Sequence, residues 1–261
     1  MAPLPVSRMQ SPGDPGLQDR SASPAIYLSE MRFAWRHESG PVLNIRRLTV
    51  DRGRRVFVAG PSGSGKSTLL NLLAGISVPH AGQVNVLGSR LDTMGGASRD
   101  RFRADHMGVI FQMFNLVSYL SVVENTTLPC RFSRRRYAQA NTSGGLRAEA
   151  LRLLSRLGIS DPLLHRSVTE LSVGQQQRVA AARALMGAPE VILADEPTSA
   201  LDAGHRRSFI RLLFEECDRA HITLLFASHD TALAPLFDQT VQLADINTAG
   251  GEHSGQTGQD R

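Results

Sequence analysis

The sequence predicts an α/β fold in which helices cover a buried parallel sheet. Apolar segments of strand length alternate with segments of helical periodicity along most of the chain, which is the order typical of α/β cores. A glycine-rich segment at 60–65 stands between a predicted strand at 55–60 and a predicted helix at 67–76. A second apolar segment, at 191–195, has the continuous apolar character of a strand that is buried on both faces.

The other strands and helices are predicted from the strand and helix periodicities of their apolar residues. Strands are predicted at 26–34, 43–50, 108–112, 222–227 and 240–244, and helices at 146–157, 174–186 and 204–219. Residues 113–171 contain no clear strand pattern, so we expect them to form a helical subdomain inserted into the core. The polar, proline- and glycine-rich ends, 1–25 and 247–261, are expected to be a disordered leader and a flexible tail around a domain at 26–246.

The composition excludes several classes of protein. Hydrophobic residues make up 41% of the chain, which is enough for a core and excludes a wholly disordered protein. No apolar run approaches the roughly 18 residues that cross a bilayer, and the first 25 residues have no apolar stretch typical of a signal peptide. The two cysteines, Cys130 and Cys217, form no CxxC pair, which favours a reducing cytoplasm. A scattered net charge of +5 gives little support for nucleic-acid binding.

One basic residue differs from all the others. Of the 29 lysines and arginines, 28 are arginine, and the only lysine is Lys66. Its retention indicates a position that needs a compact ammonium group rather than a planar guanidinium. The alternative is a compositional bias with one accidental lysine.

The segment around Lys66 has the pattern of a phosphate-binding loop. It consists of Gly60, Pro61, Ser62, Gly63, Ser64, Gly65, Lys66, Ser67 and Thr68. Glycines let backbone N–H groups turn towards an anion, and the helix that follows adds the positive end of its dipole. Lys66 is expected to contact the β- and γ-phosphates of a nucleoside triphosphate, and Ser67 to ligate Mg²⁺. In the empty loop we expect the Lys66 amine to be reachable by a small reagent.

Two acids follow the apolar segment at 191–195. Asp195 is expected to reach the metal ion, and Glu196 to act as the general base that polarises the attacking water. Alone, the pair could be an ordinary solvated strand end. Together with the phosphate loop, it indicates a nucleoside triphosphatase.

A third motif indicates which kind of nucleoside triphosphatase this is. Residues 171–178 read LSVGQQQR, which places a serine and a glycine at a predicted helix N-terminus, where a second anion could bind. A plain helix cap at Ser172 is the alternative. The segment closely resembles the signature of ABC ATPases, usually LSGGQ, with Val173 where the family has glycine. The resemblance implies that Ser172, Gly174 and Gln175 contact ATP held by another subunit.

Further matches extend the resemblance over about residues 26–246. Gln112, at the end of the predicted strand 108–112, resembles the Q-loop glutamine, which contacts Mg²⁺ and the attacking water. Residues 199–202 resemble the D-loop, which crosses the dimer interface. His229 resembles the switch histidine, a donor to the γ-phosphate.

An aromatic side chain that stacks on adenine is also part of the family pattern. Trp35 is the only tryptophan and lies 25 residues before Gly60, so it matches this position. Phe33 is the competing candidate, and a strand-face tryptophan is the structural alternative.

The resemblance implies a P-loop NTPase core with an antiparallel β subdomain and an inserted α-helical subdomain. It also implies an ATPase that binds ATP and Mg²⁺, closes as a head-to-tail homodimer, and docks peripherally on an integral membrane permease at the cytoplasmic face of the inner membrane. The helical subdomain is the expected docking surface, because Gln112 links it to the γ-phosphate.

The run FQMFNLVSYLSVVENTTLP at 111–129 resembles the class that serves lipoprotein release, macrolide efflux and glycolipid export. An importer ATPase and a cell-division ATPase that transmits force or a signal remain alternatives. The basic run at 131–136 is interpreted as a solvated helix end, with contact to anionic lipid or to an acidic partner as the alternative.

Overall fold

Two β-sheets form the framework of the computed structural model, which describes residues 23–36, 40–142 and 144–249. The strands are β1 (Ile26–Phe33), β2 (Leu43–Val50), β3 (Arg55–Ala59), β4 (Ala81–Val86), β5 (Ser89–Arg90), β6 (Met107–Ile110), β7 (Val191–Asp195), β8 (Thr223–Ser228) and β9 (Gln239–Gln242). The helices are α1 (Lys66–Leu73), α2 (Gly96–His106), α3 (Val122–Thr127), α4 (Pro129–Phe132), α5 (Arg134–Asn141), α6 (Leu146–Arg156), α7 (Val173–Leu185), α8 (Ala203–Arg219) and α9 (Leu243–Ile246). Short 3-10 helices cover Leu91–Thr93, Asp161–Leu163, Val168–Glu170 and Thr231–Leu236.

The first sheet is antiparallel, with strand order β2-β1-β4-β5. Along β1, buried apolar residues alternate with more exposed ones in its first half, as expected for a sheet that covers a core on one face. The predicted strands at 26–34 and 43–50 are confirmed as β1 and β2. Strands β4 and β5 were not predicted from the sequence.

The second sheet is parallel, with order β6-β7-β8-β3-β9. Parallel strands present their carboxyl ends at one edge, where ligands bind in α/β folds. Ala59 of β3 is paired with Ser228 of β8, and Asp195 of β7 is paired with Ala227. The residues that follow β3, β7 and β8 are therefore neighbours. The predicted α/β class is confirmed.

Hydrophobic layers cover both faces of the parallel sheet. Phe57 and Phe226 belong to the layer that includes the helical region, whereas Val56, Val58 and Leu225 belong to the layer beneath α1 and the antiparallel sheet. Alternate residues of one strand thus enter opposite layers, because successive side chains of a strand point to opposite faces. This double burial accounts for the continuous apolar character of these strands.

The inserted region is helical, as predicted. Within its described residues, 113–142 and 144–171, the regular structure consists of helices α3 to α6 and two short 3-10 helices, and the only β pairing is the isolated bridge between Ser121 and Ser167. Ser121 caps α3 in a capping box with Glu124, which satisfies two free backbone N–H groups at the helix start.

The interpretation of the basic run as a solvated helix end is wrong for Arg136, whose exposed fraction is 3%. Its guanidinium donates hydrogen bonds to the carbonyl oxygens of Met186 (2.7 Å), Met107 (3.1 Å), Arg183 (3.3 Å) and Ala184 (2.8 Å). Three of these carbonyls lie at the C-terminal end of α7, where helix carbonyls lack intrahelical partners. Arg136 therefore connects α5 to the end of α7 and to the start of β6.

The described fold extends slightly beyond the predicted domain boundaries. Ala25 is buried and accepts a backbone hydrogen bond from Leu87. Asn247 accepts from Asn44 N at 2.8 Å and donates to Val42 O at 3.0 Å. The remaining residues of the predicted leader and tail, 1–22 and 250–261, lie outside the described residues. In the described part of the chain, no helix has the length and apolar character needed to span a membrane.

Candidate functional site

The glycine-rich segment joins β3 to α1 at the carboxyl edge of the parallel sheet. Gly63 and Gly65 have φ angles of +80° and +99°, in the left-handed region that side chains disfavour. A backbone hydrogen bond from Ser64 N to Pro61 O closes a turn in this loop, and α1 begins directly afterwards at Lys66. The Ser64 hydroxyl is buried and has no hydrogen-bond partner among the described residues. The predicted loop is thus present between the strand and the helix that the motif requires.

Lys66 lies inside this loop rather than at its surface. Its exposed fraction is 6%, and Nζ donates to Gly60 O at 2.7 Å and to Pro61 O at 3.0 Å. Nζ also lies 3.4 Å from Glu196 Oε1. The expectation that the amine is reachable in the ligand-free loop is therefore wrong, because the loop's own carbonyls and a carboxylate enclose it.

Asp195 and Ser67 provide the oxygen atoms next to the loop. Burial raises the pKa of Asp195, and a hydrogen bond with Ser67 partly offsets this effect. Asp195 Oδ1 is buried and finds no hydrogen-bond partner in the part of the chain that the structure describes, a situation that a nearby cation would relieve. A hydroxyl and a carboxylate oxygen are ligands that suit Mg²⁺ when phosphates complete its coordination.

Glu196 is the most highly connected acid at this edge. It has a φ of +45°, and its backbone N–H donates to Ala227 O at 2.9 Å. Its Oε1 accepts from the His229 backbone N–H and lies next to His229 Nδ1, both at 3.0 Å. Because a carboxylate only accepts hydrogen bonds, Nδ1 carries the hydrogen in this pair. Glu196 Oε2 accepts from Ser228 Oγ at 3.1 Å.

Gln112 reaches the site from the helical side. The prediction that it ends a strand is wrong, because β6 ends at Ile110 and Gln112 occupies the connection that follows. Gln112 still lines the same cavity as Glu196 and His229.

Trp35 reaches the site from the antiparallel sheet. Its ring packs edge-on against Phe33, with 4.8 Å between centroids and 89° between planes. Trp35 is 42% exposed, whereas Phe33 is 6% exposed. The free aromatic surface at this position thus belongs to Trp35, and the competing candidate Phe33 is its support.

One cavity of about 370 Å³ brings these groups together, within the usual size range of small-molecule sites. Its lining consists of Trp35, Val42, Ser62, Gly63, Gly65, Lys66, Ser67, Thr68, Gln112, Glu196, Ser199 and His229. Residues far apart in the sequence therefore meet around the phosphate loop, with an aromatic ring, a lysine and hydroxyl groups, and a carboxylate paired with a histidine.

The third motif lies elsewhere on the chain. Ser172 caps α7 in a reciprocal capping box, in which Ser172 N donates to Gln175 Oε1 at 2.9 Å and Gln175 N donates to Ser172 Oγ at 3.3 Å. Ser172 and Val173 are exposed, and none of Ser172, Gly174 and Gln175 lines the cavity. Ser172 therefore caps a helix, as the structural alternative predicted. Ser172, Gly174 and Gln175 do not contribute to the cavity of their own chain.

Sequence reasoning missed two residues that support the site. Ser228 contacts Glu196, and Arg206 of α8 forms an ion pair with Asp230 and donates to Leu201 O at 3.0 Å. Ser228 directly precedes His229, so its position in the motif was a usable signal. Nothing in the sequence distinguishes Arg206 from the neighbouring arginines.

Comparison with known proteins gives concordant matches. The model of the ABC transporter family matches residues 43–199. The lipoprotein-releasing system ATP-binding protein LolD of Psychrobacter arcticus is 40% identical over 205 residues, which are 78% of this chain and 88% of that protein. The macrolide export ATP-binding/permease protein MacB of Burkholderia pseudomallei is 39% identical over 219 residues, 84% of this chain and 32% of that protein. The chain thus spans about a third of the length of the export ATP-binding/permease proteins that it matches.

A solved structure supports the same grouping. The ATP-binding cassette MJ0796, as a dimer in a post-hydrolysis state bound to ADP and Pi, has a TM-score of 0.73 and 30% identity. The match covers 84% of this chain and 94% of the cassette.

Proposed function

The chain belongs to the ABC transporter family of ATP-binding proteins, and from that premise we propose that its cavity binds ATP with Mg²⁺ and that Glu196 and its neighbours hydrolyse the nucleotide. The observation that carries the proposal is the single cavity in which Trp35, the phosphate loop, Gln112, Glu196 and His229 meet. This set supplies a surface for a base, a cradle for phosphates and a candidate general base.

The nucleotide has a defined set of partners in this proposal. Adenine stacks on the exposed face of Trp35, and the phosphates occupy the loop between β3 and α1. Lys66 Nζ exchanges its present contacts with Gly60 O and Pro61 O for phosphate oxygens. The N-terminal end of α1 adds its positive dipole end to this cradle.

Ser67 and Asp195 would hold Mg²⁺, with Gln112 as a further oxygen ligand. The unpartnered Oδ1 of Asp195 supports this proposal, since an unpartnered buried carboxylate oxygen is costly without a cation. The ion would supply positive charge that neutralises the negative charge developing on the phosphates.

Glu196 is the proposed general base. Its carboxylate accepts a proton from a water molecule as the water oxygen attacks the γ-phosphorus, and the bond to the bridging oxygen of ADP breaks, which releases phosphate. His229 Nδ1 donates to Glu196 Oε1, which leaves Nε2 for the γ-phosphate. Nε2 donates to a phosphate oxygen when both ring nitrogens carry hydrogen. Lys66 and Gln112 contact the same phosphate and the attacking water.

Two copies of the chain would close head to tail around two nucleotides. Ser172, Gly174 and Gln175 lie outside their own chain's cavity. The capping box uses the N–H groups of Ser172 and Gln175, which leaves the first-turn N–H groups of Val173 and Gly174 for an anion. We propose that Ser172, Gly174 and Gln175 contact the ATP of the second copy, with residues 199–202 at the interface. The dimeric cassette among the structural neighbours supports this arrangement.

The partner would be an integral membrane permease, with this chain peripheral at the cytoplasmic face of the inner membrane. The relatives named for lipoprotein release and macrolide export favour export or extrusion over import. A cell-division-type ATPase that transmits force or a signal through a membrane partner is the second candidate. No nucleic-acid partner is proposed.

A Glu196→Gln variant tests the site directly. Hydrolysis should fall by roughly 10²–10⁴-fold, as expected when a general base is removed, while ATP binding persists because the loop and Trp35 are intact. ATP should also trap the dimer, which light scattering coupled to gel filtration would detect. Glu215→Gln is the matched control, because Glu215 lies on α8 and pairs with Arg156.

A Glu196→Gln variant that hydrolyses ATP at the wild-type rate would rule out Glu196 as the base. If the variant remains monomeric in saturating ATP, the head-to-tail arrangement is wrong even though the base assignment stands.

A further inference from the structure

Ser228 contacts the proposed base from inside the core. It ends β8 and is 1% exposed. Its Oγ donates to Glu196 Oε2 at 3.1 Å and accepts from the Asp230 backbone N–H at 3.2 Å. Because the Asp230 backbone N–H already donates a hydrogen bond to this oxygen, the hydroxyl hydrogen of Ser228 points towards Glu196.

The two oxygens of the Glu196 carboxylate have different surroundings. Oε1 lies next to His229 and Lys66, two residues that line the cavity. Oε2 receives the Ser228 hydroxyl, and Ser228 does not line the cavity. Donors on both oxygens fix the rotation of the carboxylate about its last side-chain bond.

The hydroxyl itself is held by its own connections. Asp230, which donates to Ser228 Oγ, forms an ion pair with Arg206, and Arg206 also donates to Leu201 O at 3.0 Å. The pairing of Ser228 with Ala59 of β3 fixes its backbone. A residue held on three sides in this way can orient a neighbouring side chain.

We propose that Ser228 is a positioning residue that holds the Glu196 carboxylate in the orientation needed to accept the proton of the attacking water. The inference rests on the proposed role of Glu196 as the general base. Without the hydroxyl, Oε2 loses its only donor among residues 23–36, 40–142 and 144–249, and the carboxylate is free to turn towards Lys66 and His229. Because Ser228 does not line the cavity, nucleotide affinity should not depend on it.

The test compares three variants by steady-state ATPase kinetics and by equilibrium ATP binding. Ser228→Ala should lower kcat roughly 10–100-fold, the range expected for the loss of a hydrogen bond to a charged group, with KM and the ATP dissociation constant within about 2-fold of wild type. Ser228→Thr retains the hydroxyl and should restore kcat. Thr223→Val removes another buried hydroxyl of β8, which accepts from Gly53 N and does not contact Glu196, and should leave kcat unchanged.

Several outcomes would overturn the inference. One is a Ser228→Ala variant with wild-type kcat, or one whose ATP affinity falls as much as its kcat. Another is a Ser228→Thr variant that binds ATP normally but is as slow as Ser228→Ala. If the added methyl group prevents Ser228→Thr from folding, the comparison of Ser228→Ala with Thr223→Val decides.

Glu196→Gln and Ser228→Ala test the proposed base and its proposed positioning residue separately. If Glu196→Gln hydrolyses ATP normally, the proposed base is wrong and the role of Ser228 falls with it. If Glu196→Gln is inactive and Ser228→Ala is fully active, only the positioning inference is wrong.

Discussion

Replacement of Arg136 by methionine should destabilise the fold strongly without altering the cavity. Methionine fills a similar volume but removes the guanidinium, which donates four hydrogen bonds to carbonyl oxygens. At about 1 kcal/mol each, these bonds contribute about 4 kcal/mol. Burial lowers the pKa of Arg136 to about 10, which shows that its charge is costly there, so its removal returns part of this energy.

The expected net loss is about 2–4 kcal/mol in the free energy of unfolding, measured by urea denaturation. For a domain of this size, that loss lowers the melting temperature by roughly 4–16 °C. Arg135→Met is the matched control, because the Arg135 side chain is half-exposed and pairs with Glu190, and a surface ion pair contributes at most about 1 kcal/mol.

A loss below about 1 kcal/mol for Arg136→Met, or a loss equal to that of Arg135→Met, would refute this reasoning. The carbonyl oxygens at the end of α7 would then be satisfied without the guanidinium, and the hydrogen bonds of Arg136 would contribute no net stability.

Two further predictions concern the cavity and the sheet. Trp35→Ala should weaken ATP binding by roughly 1–3 kcal/mol, which calorimetry would measure. The kcat at saturating ATP and the stability of the ligand-free protein should stay nearly unchanged. An unchanged ATP affinity would show that adenine does not stack on Trp35. The hydrogen bond from Arg55 holds the pKa of Asp238 below its usual range. The stability that Asp238 contributes is therefore fully present above its unfolded-state pKa of about 3.9, and it is lost as the pH falls through the lower pKa of the folded state. Asp238→Asn should therefore cost about 1 kcal/mol at pH 7, and urea denaturation should show this difference vanishing towards pH 2, whereas a constant difference would contradict the linkage.

The sequence predicted the loop and the strands at the centre of the candidate site well, because their patterns are local. The glycine spacing around Lys66 fixes a loop between β3 and α1, and the strand at 191–195 occurs with the predicted bounds. The burial of Lys66 could not be predicted, since it depends in part on contact with Glu196, 130 residues further along the chain.

Parts of the fold without a local pattern were missed. Strand β4 pairs with β1, 49 to 60 residues earlier in the chain, and its sequence AGQVNV has only two apolar side chains in alternation. Helix α2 is strongly polar and none of its residues is buried, so it has no apolar stripe to detect.

Arg136 illustrates a different failure. A run of arginines ordinarily indicates a solvated surface, and three neighbours of Arg136, at 131, 134 and 135, are indeed exposed. Only the arrangement of α5 against the end of α7 identifies the one arginine that enters the core, and that arrangement is a property of the tertiary structure.

The enclosure of Lys66 has a practical consequence for following the folding of this protein. A protease that cuts only after lysine has a single cleavage site in the 261 residues. That bond lies at the first turn of α1, behind an amine held by two backbone carbonyls. Digestion requires the local chain to open. The rate of this one cleavage therefore measures how often the phosphate loop and α1 open. A bound nucleotide that holds them closed would slow the cleavage.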